Sequence, residues 1–147
     1  AICYRYTGDK NKAKDLMHDS FIKIFNNIKY FKHEGSFQGW MKRITVNTIL
    51  TYFKKKDIIR MSEEITTEIE NDVTDIKDDE IIPREKILEF ITLLPNGYRT
   101  VFNMYAIEEY SHKEIAGLLN INIGTSLSQY SKARKMLAEM INDYLKK

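Results

Sequence analysis

Residues Glu109 to Leu137, EYSHKEIAGLLNINIGTSLSQYSKARKML, decide the fold. Their apolar spacing predicts a short helix from Ser111 to Leu119 and a longer one from about Thr125 to Tyr144, joined by a tight connection through Asn120 and Gly124. Ser111 followed by Glu114 is a capping box, in which side chains satisfy backbone donors that the first helical turn leaves without partners. Ile115, Ala116, Leu119 and Ile121 supply an apolar side, and Ala116 is small enough for the point where the two helices cross. Thr125 is expected to cap the second helix, leaving Ser126, Ser128, Gln129, Ser131 and Lys132 outward and Ala133, Leu137 and Met140 inward. The pattern is that of a helix-turn-helix, whose short polar groups suit base edges in a major groove. A plain helical hairpin is the alternative.

The 147 residues, 43% of them hydrophobic, are enough for one domain or two small ones. The single cysteine, Cys3, cannot form an internal disulfide, and no apolar run approaches the ~20 residues of a membrane span. A cytoplasmic protein without membrane insertion is expected. The formal charge of +2 is the sum of unlike parts: residues 1–56 carry +8, residues 57–82 carry −8 and residues 83–147 carry +2. A basic head therefore precedes an acidic strap and a mildly basic tail, and a head so charged calls for a polyanionic partner. A solubilising charge pattern is the blander explanation.

In the head, Ala13 to Ile28 reads as a helix after an Asp9 cap, with Leu16, Met17, Phe21, Ile24, Phe25 and Ile28 as its apolar face and Lys14, Asp15, His18, Asp19 and Lys23 opposite. The segment KYFKHEGS then forms a loop in which Tyr30 and Phe31 either stack on unpaired bases or plug the core. Phe37 to Lys56, with Ser36 as cap, reads as a helix bearing apolar patches at Phe37, Trp40, Met41, Ile44 and at Val46, Ile49, Leu50, Phe53. Its other side shows Lys42, Arg43, Asn47, Thr48, Thr51, Lys54, Lys55 and Lys56 and no acidic residue, a surface able to track a phosphate backbone. Residues 57–82 have no sustained apolar period and are expected to be a flexible tether. In the tail, Pro83 opens a helix running to Leu94 with Ile87, Leu88, Phe90, Ile91 and Leu94 buried, and Tyr98 to Ile107 forms the next. The fold class is thus all-α: two small helical domains, residues 1–56 and 83–147, joined by the acidic linker 57–82.

Taken in order, GDKNKAKDLMHDSFIKIFNNI from Gly8, GSFQGWMKRITVNTILTYFKKK from Gly35, LLPNGYRTVFNMY from Leu93 and the stretch ending at Leu137 resemble the bacterial RNA polymerase sigma factors of the extracytoplasmic-function (ECF) group. The resemblance covers nearly the whole chain outside the acidic middle and implies a chain that lacks the family's extreme N-terminus. It implies that the head is a sigma domain 2, binding core RNA polymerase and opening the promoter −10 element, and that the tail is a sigma domain 4, reading the −35 element. Carried over by position, Asp15, Leu16, His18, Asp19 and Phe21 fall in the polymerase-contacting helix. The loop Lys29 to Gln38 resembles the one that holds a flipped base, so Tyr30 and Phe31 join Trp40, Lys42, Arg43, Asn47, Thr51, Lys54 and Lys55 as −10 contacts. Arg99, Thr125, Ser126, Ser128, Gln129, Ser131, Lys132, Arg134 and Lys135 are the corresponding −35 contacts. Promoter DNA, core polymerase and an anti-sigma protein are the implied partners.

Two tail positions depart from the family pattern. Leu127 stands where a basic residue is common and Tyr130 where leucine is common; Leu127 either faces DNA without a charge to offer or packs inward. No catalytic set is legible: His18, His33 and His112 lie in different segments without ligand spacing, and no phosphate-cradling glycine loop occurs. No enzyme activity, cofactor, metal or small-molecule substrate is expected. A regulator using only the tail motif, or a sigma-like decoy that binds without initiating, are the competing functions.

Overall fold

The computed structural model describes residues 1–56, 58 and 81–147. Among them are seven α-helices and no strand, in two compact units, Ala1–Ile59 and Arg60–Lys147. The all-α expectation is met. The tether expected over residues 57–82 lies outside the described residues apart from Ile58, Ile81 and Ile82.

The first unit packs α1 (Ile2–Thr7), α2 (Lys10–Asn27) and α3 (Phe37–Lys56) against one another. Gly8, at φ 64°, closes α1 in a left-handed conformation that costs glycine little. Asp9 then caps α2 as the sequence requires, its carboxylate accepting from the Asn11 and Lys12 amides at 2.9 and 3.1 Å. At α3 the Ser36 hydroxyl accepts from the Gly39 amide at 3.2 Å, and the helix spans the expected Phe37 to Lys56. Tyr6, Leu16, Ile24, Val46, Ile49, Leu50 and Phe53 form the core, each worth about 1.5–3 kcal/mol once out of water.

The apolar face expected for α2 divides in two. Ala13, Leu16, Ser20 and Ile24, repeating every three to four residues, are the stripe that α1 and α3 cover. Met17, Phe21, Phe25 and Ile28 form the adjacent stripe and stand open to solvent, Phe21 at 58% and Phe25 at 81% exposure. Two short-range partners cover only one side of an eighteen-residue helix. On α3 the second patch is core as expected, while Phe37 is exposed and Trp40 half-buried; Thr48, expected on the surface, is buried.

The second unit comprises α4 (Arg84–Leu93), α5 (Asn96–Phe102, continued by a π-helical turn at Asn103–Ile107), α6 (His112–Leu119) and α7 (Ile123–Leu145). Phe90, Ile91 and Leu94 meet Ala133 and Leu137 in its core, with Tyr98, Phe102, Met136 and Met140 around them. Ile87, expected inside, is exposed. Ser111 caps α6, accepting from the Glu114 amide at 3.1 Å, and Ile115 and Ala116 are buried against α7. The connection to α7 differs from the sequence expectation. Asn120 takes the left-handed conformation (φ 55°), and Asn122 caps α7 by accepting from the Thr125 amide at 2.7 Å. The helix therefore starts at Ile123, and Gly124 sits in its first turn rather than in the connection. Asparagine tolerates the left-handed region and is a stronger cap than threonine, so both tasks of the turn fall to asparagines.

Candidate nucleic-acid and polymerase interfaces

On α2, Asp15, His18, Asp19 and Phe21 are exposed, but Leu16 is buried. Its assignment as a partner contact is corrected, since a side chain in the core cannot meet another protein without unfolding the head. The apolar residues that α2 leaves open to solvent are instead Met17, Phe21, Phe25 and Ile28.

A separate surface of the head is suited to nucleic acid. Tyr30, Trp40, Asn47 and Thr51 line one groove of about 330 Å³, with Lys23, Asn27, Ile44 and Thr48 completing its walls. Lys23 and Asn27 come from the end of α2, and no motif in the sequence ties them to α3; only the packing brings them across. Trp40 is set by an aromatic cluster, with Phe31 5.3 Å and Phe37 5.6 Å away, centroid to centroid. Phe31 also lies 5.2 Å from Phe37 and 4.8 Å from His33, so it buttresses the other rings. Tyr30 remains 65% exposed, with the Lys29 ammonium 5.2 Å from its ring centre. Arg43, Lys54 and Lys55 are exposed on the same helix as the groove. Lys42 lies elsewhere. It lines a separate, mostly apolar groove of about 580 Å³ with Ile2, Ala13, Met17, Phe21 and Met41, which removes it from the set around Trp40.

In the tail, the structure corrects four expected DNA contacts. Thr125, Ser126 and Gln129 are buried, forming with Ala133 and Leu137 the inward stripe of α7. The Thr125 hydroxyl donates to Asn122 Oδ1 at 2.9 Å, and Ser126 Oγ lies 2.8 Å from His112 Nδ1, tying α7 to the start of α6. His112 stacks on Tyr105 at 4.1 Å, and its burial lowers its pKa from the ordinary value. Arg99 is also buried. Its guanidinium donates to the Thr92 and Leu94 carbonyls at 2.8 and 3.1 Å and to Asn96, so it fastens the end of α4 to α5. Replacing Arg99 with methionine is expected to cost about 2–4 kcal/mol, measurable in denaturant, while leaving the salt dependence of DNA binding unchanged.

The first half of α7 turns Ile123, Gly124 and Leu127 outward, then Arg134 and Lys135, with Ser128, Ser131 and Lys132 half-exposed; Glu139, Asp143 and Tyr144 are exposed further along. Leu127 does not pack inward. The Arg134 guanidinium lies 5.7 Å from the Tyr130 ring centre, so Tyr130 supports a cation at the edge of this face.

The Sigma-70 region 2 model matches residues 1–58 and the Sigma-70 region 4 model residues 84–137. The ECF RNA polymerase sigma-E factor of Haemophilus influenzae is 30% identical over 148 residues, spanning 93% of this chain and 78% of that protein. The chain belongs to the ECF group of sigma factors. The ECF sigma factor SigW of Bacillus subtilis is 29% identical over 153 residues, across 97% of this chain and 82% of its own length. The sigma factor RpoE of Bartonella quintana, solved with the anti-sigma factor NepR, shares the fold with a TM-score of 0.60 at 17% identity, over 96% of this chain and 88% of that one. As an ECF sigma factor, the chain is a promoter-recognising transcription initiation factor.

Proposed function

We propose that this ECF sigma factor binds core RNA polymerase through α2, captures unpaired −10 bases in the groove between α2 and α3, and reads the −35 element with the outward face of α7. The groove lined by Tyr30, Trp40, Asn47 and Thr51 is the observation that carries the reading. It combines an exposed ring with amide and hydroxyl groups beside Arg43, Lys54 and Lys55, which suits a base held out of the stack and the phosphates on either side of it. On this reading residues 1–56 act as sigma domain 2, 57–82 as the connector and 83–147 as sigma domain 4. The polymerase surface is Asp15, His18, Asp19 and Phe21 with Met17 and Phe25 added. The −10 surface is Tyr30, Trp40, Arg43, Asn47, Thr51, Lys54 and Lys55, buttressed by Phe31. The −35 surface is Ser128, Ser131, Lys132, Arg134 and Lys135 together with Leu127.

The site of action is the cytoplasm, where polymerase and promoter are found. An anti-sigma protein is the proposed regulator, a class of partner with which the RpoE chain of the same fold was solved. Run-off transcription with core polymerase and a library of promoter fragments tests the function. Transcripts that appear only when the chain is present are the expected result. Polymerase binding without transcripts on any fragment would establish the decoy reading instead.

A further inference from the structure

We propose that Leu127 and Ile123 read thymine, through its C5-methyl group, in the DNA bound by the tail. The inference rests on the reading of α7 as the helix that enters the major groove. With Thr125, Ser126 and Gln129 turned into the core, the first two turns of α7 keep few groups for base edges. Ile123 and Leu127, one turn apart, remain 48% and 41% exposed. Gly124 lies between them, and a Cβ built on it would touch only Asn122 Oδ1, at 3.4 Å, so no side chain holds the base edges away. Arg134 and Lys135 follow on the exposed side further along the helix, where they can anchor phosphates while the start of the helix meets bases.

The chemistry of the groove narrows what this start can recognise. Leucine and isoleucine neither donate nor accept hydrogen bonds, so they carry no information toward guanine, adenine or cytosine edges except by leaving polar groups without partners. The thymine methyl is the apolar feature of the major groove, and contact with it removes apolar surface from water on both sides. A cation at Leu127 would add attraction to any sequence; an apolar side chain there trades that affinity for discrimination.

The test uses the whole 147-residue chain. Duplexes enriched from a random library define its tail site, and each thymidine is then replaced singly by deoxyuridine, which lacks only the methyl group. Loss of one buried methyl should weaken binding about fourfold at each contacted position. In Leu127→Ala the penalty at one position should disappear, and in Ile123→Ala the penalty at its neighbour, with melting temperatures unchanged because both side chains are exposed. A uracil penalty that survives both substitutions, or no uracil penalty at a site that is otherwise sequence-specific, overturns the inference and leaves the promoter reading intact. A chain that enriches no sequence overturns both.

Discussion

Changing Phe21 and Phe25 together to glutamate is expected to weaken binding of core polymerase roughly a hundredfold while leaving the melting temperature of the head within a degree or two of its starting value. Both rings stand in solvent on α2, so the fold gains little from them. In a contact with another protein the same rings would be anchors, and truncating such an anchor typically costs ~2 kcal/mol, with 1.4 kcal/mol for each tenfold in affinity. Charge reversal at Asp15 and Asp19 should act more weakly, by about tenfold at low salt and less at high salt, because exposed charges are screened and steer encounter more than they hold it. Leu16→Ala is the contrasting control: a core cavity costs ~2–5 kcal/mol of stability and should show in the melting curve first. Affinity measured by fluorescence anisotropy with labelled polymerase separates the three. Full-strength binding by the Phe21/Phe25 double variant would mean that polymerase approaches another face.

How far the sequence could be read depended on which force set each feature. Three caps were legible because they are local: Asp9, Ser36 and Ser111 each need only the next three residues to be recognised and cap as expected, whereas the cap expected of Thr125 falls to Asn122. Helix existence was legible through periodicity for the longer helices, whereas α1, six residues from Ile2 to Thr7, is too short to show a period and is absent from the sequence reading. The side that each helix buries was not legible, because it depends on partners distant in sequence. On α2 the open stripe is the more apolar of two adjacent ones, since the buried stripe includes Ser20, and only the placement of α1 and α3 chose Leu16 and Ile24 over Phe21 and Phe25. On α7 the usable signal is the spacing of its buried stripe. Counting back from the buried Leu137 and Ala133 in steps of three and four reaches Gln129 and Ser126, which therefore had to point inward, whereas their polarity suggested surface. The Ser126 hydroxyl serves the joint with His112 instead of facing outward. Arg99, assigned to the phosphate backbone by the resemblance, is held by three acceptors within its own unit, two of them seven and five residues before it in the chain and one three before it on its own helix. The groove between α2 and α3 was half legible, since Trp40, Asn47 and Thr51 share a helix face, whereas Lys23 and Asn27 belong to it only through tertiary packing.

Neutralising Arg43, Lys54 and Lys55 together to glutamine should reduce affinity for single-stranded −10 DNA roughly a hundredfold near 0.1 M salt, with the difference closing as salt approaches 1 M. Each phosphate neutralised on a single strand contributes about 0.7 to the slope of log affinity against log salt, so losing three contacts should flatten that slope by about two. Lys42→Gln is expected to change it little, because Lys42 lines the other groove, beside Ile2, Met17 and Phe21. Tyr30→Ala should behave in the opposite manner, lowering affinity by the ~1–3 kcal/mol of one stacked base while leaving the slope untouched. The two kinds of variant therefore divide the interface into a part that senses charge and a part that senses a base. Anisotropy titrations of a labelled oligonucleotide across salt concentrations read both quantities at once. A slope as steep in the triple variant as in the original chain would place the strand elsewhere on the head. If Lys42→Gln alone flattened it, the phosphates would run instead along the apolar groove that Lys42 lines.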